Sequence, residues 1–172
     1  MECLCERCAK LGKTCCQERE IYITPGDVQR IAEKTGWNNF YDFCKASDLS
    51  YEDQDDDPMW AAYVFRQDGT RRVLKRKASG DCMFLGATGC VLALETRPLV
   101  CRLYPYSYNA DGLYEELEEG CPVHLLTPGR TLEQELAGCS RENAYQWHHK
   151  LYAEIILEKP NHAYRSDLRP AV

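Results

Sequence analysis

The chain carries near its start the stretch CERCAKLGKTCC, residues 5–16, which holds four closely spaced cysteines. Two residues separate Cys5 from Cys8, and that spacing lets both sulfur atoms reach one metal ion at about 2.3 Å. Cys15 and Cys16 are adjacent, and neighbouring side chains tend to point in different directions. The adjacent pair therefore indicates two metals, or two atoms of one polynuclear centre, rather than chelation of a single ion.

Residues 1–20 contain five cysteines among charged residues and show almost no apolar periodicity. Such a segment does not fold through its own packing, so something other than burial must order it. More cysteines follow in the middle of the chain, and glycine or proline flanks several of them: Cys82, Cys90, Cys101 and Cys121. Loops of this kind point backbone amides at sulfur, which favours metal ligands over buried thiols.

The sequence has eleven cysteines in 172 residues, and a disulfide framework is the main alternative to metal ligation. The count is odd, the chain is longer than typical disulfide scaffolds, and the N-terminus lacks the apolar stretch of a secretory signal. We therefore predict metal ligation in a protein of the reducing cytoplasm.

The order of these motifs resembles the CxxCxxCC (YkgJ-type) cysteine-cluster family, whose members are described as zinc- or iron-chelating proteins. The resemblance rests on Cys5-x2-Cys8-x6-Cys15-Cys16, Asp81-Cys82-x-Phe84-Leu85, Gly89-Cys90, Arg97-Pro98-x2-Cys101-Arg102-x2-Pro105 and Gly120-Cys121-Pro122. It implies metal chelation by the matching cysteines, which are Cys5, Cys8, Cys15, Cys16, Cys82, Cys90, Cys101 and Cys121. Eight thiolates suit two tetrahedral sites or one larger cluster. The chain departs from the family at Val91-Leu92-Ala93-Leu94, where the family often has an Ile-Tyr pair.

A related cysteine pattern occurs in flagellin lysine N-methylases, where it accompanies a larger catalytic region. This chain is too short to include that region, and it has no glycine-rich nucleotide loop after a strand. The resemblance thus leaves two functions open. One is a non-enzymatic metal-binding module, and the other is an iron–sulfur redox or protein-modifying enzyme.

Ligation by sulfur alone excludes magnesium and calcium, which take oxygen ligands. Zinc (Zn2+) is the first choice, because saturated cysteine sites usually hold structural zinc. Iron, including an iron–sulfur cluster, is the alternative, because adjacent cysteines and proline-flanked ligands suit a polynuclear centre.

Several other side chains are of types that often occur in functional sites, but a structural role is the main expectation for most of them. Cys44 and Cys139 lie on apolar helical faces and are expected in the core, while Cys3 is expected to be a bystander. Arg97 and Arg102 are expected either to offset thiolate charge or to form ordinary salt bridges. Asp81 is expected to cap its loop. Surface or packing roles are expected for the remaining candidates: His124, His148, His149, His162, Tyr104, Tyr106 and Tyr108.

The formal net charge of −6 argues against nucleic acid as a partner, because such binders usually carry a basic face. No run of about 18 apolar residues is present, so the sequence predicts no membrane span. A metal ion is therefore the one partner that the sequence indicates, and no protein partner is identified.

The chain length predicts a single domain over residues 1–172. Its class is predicted to be α+β, small and irregular, with short β-hairpins and flanking helices organised around a cysteine-ligated metal centre. The expected elements are a strand at 21–23, helices at 25–35, 38–44 and 131–159, an acidic solvated loop at 52–58, and hairpins at 63–75 and 104–117.

Overall fold

Six α-helices and six short strands lie in the part of the chain that the computed structural model describes, residues 4–11, 15–51, 56–136 and 138–158. The helices are α1 (Leu4–Lys10), α2 (Pro25–Thr35), α3 (Pro58–Tyr63), α4 (Leu99–Leu103), α5 (Leu132–Glu135) and α6 (Arg141–Ile155). The strands are β1 (Tyr41–Lys45), β2 (Thr70–Leu74), β3 (Leu85–Gly86), β4 (Gly89–Cys90), β5 (Tyr106–Asn109) and β6 (Gly112–Leu117). They pair antiparallel as β1–β2, β3–β4 and β5–β6, which confirms the small, irregular α+β class.

Helix α2 begins and ends where the sequence predicts. The Thr24 hydroxyl accepts a hydrogen bond from the Asp27 amide at 2.9 Å, and the Asp27 carboxylate accepts one from the Thr24 amide at 3.0 Å. This reciprocal pair is a capping box, which satisfies two amides that the first helical turn leaves unpaired. Gly36 then closes the helix in the left-handed conformation, with φ of 72°.

Strand β2 pairs with β1 in the first sheet and with Tyr22 along its other edge, and these partners differ from the prediction. The predicted helix at 38–44 is wrong, because β1 occupies this region and pairs with β2 from Tyr41↔Leu74 to Lys45↔Thr70. The aromatic residues whose spacing suggested a helix also suit a strand, and the exposed backbone edge of β2 decides the outcome. The strand predicted at 21–23 is reduced to an isolated bridge, Tyr22↔Val73, along the other edge of β2, where Ile23 N donates to Arg72 O at 3.2 Å.

The predicted hairpin at 63–75 is only partly correct. Its turn is present, with Gly69 at a φ of 77° and Arg66 N donating to Thr70 O at 2.8 Å. Its first arm is not a strand, because Asp57 and Pro58 start helix α3 immediately before it. Asp57 was expected in a solvated loop, yet it is 3% exposed, while residues 52–55 of that loop lie outside the described ranges.

The hairpin predicted at 104–117 is confirmed as β5 and β6, which meet at Asn109↔Gly112. The long C-terminal helix is divided instead of continuous. Gly138 adopts a φ of 75° between α5 and α6, and Ser140 then caps α6 by accepting from Asn143 N at 3.2 Å. A left-handed glycine followed by a capping serine ends one helix and starts another. Residues 159 and 160, where the helix was predicted to end, are outside the described ranges.

Two hydrophobic clusters form the core. The first core cluster surrounds α4 and α6 and includes Leu4, Leu99, Leu103, Leu151 and Ile155. The second core cluster lies under α2 and the first sheet, and its buried members are Ile21, Ile23, Ile31, Phe40, Leu74, Cys82, Phe84 and Leu92.

A buried polar network joins helices α2, α4 and α6. Arg30 of α2 donates to Asp27 at 2.6 Å and to Glu154 of α6 at 2.5 Å. Asp27 also accepts a bond from the Leu99 amide at 3.1 Å, at the start of α4. Buried charges are tolerated when they are paired and hydrogen-bonded in this way. The network therefore fixes where α4 begins.

None of the helices in the described ranges is both long enough and apolar enough to cross a lipid bilayer.

Candidate metal centre

A cavity of about 230 Å³ is lined by all eight cysteines that the resemblance selects. These residues come from separate parts of the chain, and they are Cys5, Cys8, Cys15, Cys16, Cys82, Cys90, Cys101 and Cys121. Folding thus brings the beginning and the middle of the polypeptide together around one space. A wall of sulfur atoms is the donor set that zinc and iron prefer.

Helix α1 presents Cys5 and Cys8 to this cavity. The two residues are three positions apart on a helix, so their side chains lie on the same side. Leu4 is buried beside them, and Arg7 forms an ion pair with Glu135 of α5. The Cys5 carbonyl oxygen comes within 3.7 Å of where a Cβ on Gly89 would stand. Helix α1 is therefore packed closely against strand β4.

Backbone pairing positions Cys16, Cys82 and Cys90. Cys82 N donates to Cys16 O at 2.9 Å, and Leu85 N donates to Cys82 O at 2.9 Å. Leu85 in turn faces Cys90 across the β3–β4 pair. These three cysteines consequently belong to one hydrogen-bonded backbone unit.

Cys101 reaches the cavity from helix α4. The amide of Leu99, two residues earlier, donates to the buried carboxylate of Asp27. Cys101 also packs against the second core cluster, as do Cys16 and Cys90, while Cys82 is one of its buried members. The polar network of α2 thus sets the position of a predicted ligand more than 70 residues further along the chain.

Burial makes the thiolate form of Cys82 and Cys101 less favourable. Removal from water disfavours the thiolate and raises the pKa of Cys82 from 9.0 to about 11. Burial also raises the pKa of Cys101 well above 9.0, and the nearby charges of Cys16, Cys82 and Cys90 raise it further. A bound cation reverses this balance, because a coordinating thiol loses its proton.

Two polar side chains reduce the cost of a thiolate. Burial raises the pKa of Cys90, whereas the charge and hydrogen bond of Arg97 lower it. Burial likewise raises the pKa of Cys121, and the nearby Tyr104 hydroxyl lowers it. Of the two roles that the sequence left open for Arg97, its contact with Cys90 favours the offset of thiolate charge. Spacing alone gave no signal for Tyr104, because its contact with Cys121 depends on the fold.

Residues 4–122 match the CxxCxxCC family, described as "Putative zinc- or iron-chelating domain". The match covers well over half of the 172 residues. This chain belongs to the CxxCxxCC family. All eight cavity cysteines lie within the matched range, so the family description and the cavity concern the same residues. No curated protein and no solved structure gives a significant match.

None of the ten cysteines in the described part of this CxxCxxCC chain forms a disulfide. Within the same ranges, no three or more Cys, His, Asp or Glu side chains are arranged to hold a metal ion as they stand. The thiols surround the cavity instead of meeting at one point. Ligation therefore requires cysteine side chains to turn inward, which rotation about χ1 allows.

Two of the remaining cysteines have different environments. Cys139 is 6% exposed, and its thiol lies 3.7 Å from both Arg102 O and Tyr104 O, which confirms its core position. Cys44 is exposed on β1, so the core prediction for it was wrong. The predicted helical face does not exist there, because Cys44 lies on strand β1, whose last four residues are all exposed. Cys3 is outside the described ranges.

The other singled-out side chains have structural roles. Arg102 forms no ion pair with any residue in the described ranges and instead donates to Arg97 O at 2.7 Å. Asp81 accepts from the Ser79 hydroxyl at 2.9 Å, as a loop cap would. His148 packs against Tyr152, and its Nε2 lies 2.7 Å from Asn109 O.

The remaining histidines and tyrosines also fit the expected surface and packing roles where they are described. His124 and His149 are exposed, and His162 is outside the described ranges. Tyr106 is buried, and Tyr108 packs against the first core cluster.

Proposed function

We propose that this protein binds zinc or iron through the thiolates of its eight cavity cysteines, with zinc as the first choice. The observation that supports the proposal is that all eight cysteines of the family motifs line one cavity, although the residues come from distant parts of the chain. The all-sulfur donor set fits both metals and does not fit magnesium or calcium. We further propose that residues 1–172 form a single domain.

We propose that the thiols divide into two groups of four. The inner group consists of Cys16, Cys82, Cys90 and Cys101, all of which belong to or pack against the second core cluster. The α1 group contains Cys5 and Cys121, which pack against the first core cluster, together with Cys8 and Cys15. Four thiolates saturate one tetrahedral zinc ion, so this division predicts two ions per chain.

A saturated site of this kind supplies binding energy for folding, with no open coordination position for catalysis. Residues beside the cysteines lower the cost of thiolate charge. Arg97 offsets negative charge at Cys90, and the Tyr104 hydroxyl near Cys121 lowers the pKa of that thiol. The ten cysteines of the described ranges form no disulfide, which also fits a reducing cytoplasm, where disulfides are rare.

Elemental analysis of protein purified without oxygen tests the proposal. We expect about two zinc ions per chain, as four-thiolate sites predict, and a colourless protein. Iron with sulfide and a brown colour that bleaches on reduction would establish the iron–sulfur alternative instead. Protein that contains no metal, and takes up none after anaerobic reconstitution with either metal, would refute the proposed function.

Matched serine variants test which thiols are ligands. Cys82→Ser and Cys121→Ser remove one thiol from each group, and each should lose one of two zinc ions. Cys139→Ser removes a buried thiol outside the cavity, so it should keep both ions. Equal metal content in all three variants would show that the ligand assignment is wrong. Loss of all metal from either group variant would point to one polynuclear centre.

A further inference from the structure

A second cavity, of about 600 Å³, adjoins the cysteine cavity. The two cavities share the lining residues Arg19, Glu20, Tyr51, Val100 and Tyr104. Exposed side chains form the rim of the second cavity, so the cavity opens to solvent. These side chains belong to Asp56, Tyr114, Glu116 and Glu118. A small molecule could therefore enter from solvent and lie beside the cysteine cavity.

Aromatic rings form much of the wall of this second cavity. It is lined by one tryptophan and six tyrosines: Trp60, Tyr22, Tyr51, Tyr104, Tyr106, Tyr108 and Tyr114. The rings of Tyr22 and Trp60 are 5.1 Å apart, and those of Trp60 and Tyr108 are 6.4 Å apart. The face of an aromatic ring attracts a cation electrostatically. The Arg71 guanidinium already lies over the Tyr51 ring, 4.8 Å from its centroid.

The charge of the lining also favours a cation. Five carboxylates line the cavity, against two guanidinium groups, and one carboxylate, Glu20, is paired with Arg71. The other carboxylates are Asp56, Asp57, Glu116 and Glu118. An anionic ligand would meet repulsion here, because like charges in a partly desolvated site raise each other's energy.

Asp57 is the most informative of these groups, because it is 3% exposed. Its carboxylate accepts hydrogen bonds from Trp60 N at 3.0 Å and from the Tyr152 hydroxyl, both of which are neutral donors. Asp57 forms no ion pair with any residue between 4 and 158 that the structure describes. A buried carboxylate without a positive partner is costly, so a cationic ligand near it would relieve that cost.

We propose that the second cavity binds a small organic cation of the alkylammonium class, held against Trp60 and Tyr108 and near Asp57. A divalent metal ion is less suitable, because it needs several oxygen ligands in place of aromatic faces. The proposal depends only on this cavity and holds for either metal in the cysteine cavity.

Titration of the metal-containing protein with tetramethylammonium chloride, followed by NMR, tests the proposal. The indole N–H signal of Trp60 is assigned by its absence in Trp60→Phe. We expect a saturable shift of this signal that sodium chloride at equal ionic strength does not produce. The neutral compound tert-butanol, which is similar in size, should bind at least ten-fold more weakly. n-Butylammonium distinguishes a preference for primary ammonium ions from one for quaternary ions.

Two sets of variants locate the contribution of charge. Asp57→Asn should weaken cation binding at least ten-fold, whereas Glu33→Gln on the exposed face of α2 should leave it within two-fold. If Asp57→Asn does not fold, the double rim variant Glu116→Gln with Glu118→Gln should still weaken binding about three-fold. Each of three results would overturn the proposal: no saturable shift, equal binding of tert-butanol, or unchanged affinity in a folded Asp57→Asn variant or in the rim variant.

Discussion

The inner group and the α1 group of thiols line the same cavity, but the chain holds them in different ways. Cys16, Cys82 and Cys90 are joined through backbone hydrogen bonds, and Cys101 sits on a helix whose start is bonded to Asp27. Cys5 and Cys8 sit on α1, which has only seven residues. Isolated helices of that length are marginal in water, because nucleation is costly. Ordinary folding thus accounts for the inner group, whereas α1 has most to gain from a metal.

Metal removal should have the largest effect, and it should affect α1 more than the elements that hold the inner group. Chelation should lower the free energy of unfolding by on the order of 5 kcal/mol, because metal binding to thiolates is coupled to folding. Hydrogen exchange should show lost protection at the amides of α1 and continued protection in α2 and α6. Protection of α1 that survives complete metal removal would show that its contacts with β4 and α5 suffice to hold it.

Alkaline pH should lower the free energy of unfolding by a smaller amount, through the inner group. The folded pKa of Cys82 is raised from 9.0 to about 11, so its stabilising contribution is complete below pH 9 and is lost as pH rises towards 11. For this thiol alone the loss is at most about 3 kcal/mol, from the two-unit shift. Denaturant unfolding of metal-free protein at pH 8 and pH 10.5 measures it.

The matching controls for the alkaline effect are Cys82→Ala and Cys44→Ser. Cys82→Ala should reduce the pH dependence, while Cys44→Ser should leave it as in the original chain, because Cys44 is exposed. Metal-loaded protein should also resist alkaline unfolding, since its thiols have already lost their protons. An unchanged pH dependence in Cys82→Ala would remove desolvation of that thiol as the cause.

The smallest effects should come from cysteines outside both groups. Cys139→Ser places a hydroxyl in a buried site and should cost about 1 to 2 kcal/mol without loss of metal. Cys44→Ser should change stability by no more than about 0.5 kcal/mol, because it is a surface substitution. Thermal unfolding with parallel metal analysis checks both values. Destabilisation by Cys44→Ser comparable to that of Cys139→Ser would contradict the exposed position of β1.

Local patterns predicted those elements whose signals act within a few residues. The capping box of α2 and the turn between β5 and β6 are satisfied by neighbours in sequence, so both are found where expected. The predictions for residues 38–44 and for the partner of β2 were wrong, because strand pairing is decided between distant residues. The division of the C-terminal helix was missed although Gly138 and Ser140 carried a readable signal.

The sequence by itself determined the family, the eight candidate thiols and the sulfur character of the donor set, since residue type and spacing carry that information directly. Only the tertiary structure placed those thiols around one cavity, set Arg97 and Tyr104 beside Cys90 and Cys121, and enclosed Asp57 among aromatic rings. The physical reason is that desolvation and charge act through space, between groups that the sequence leaves far apart.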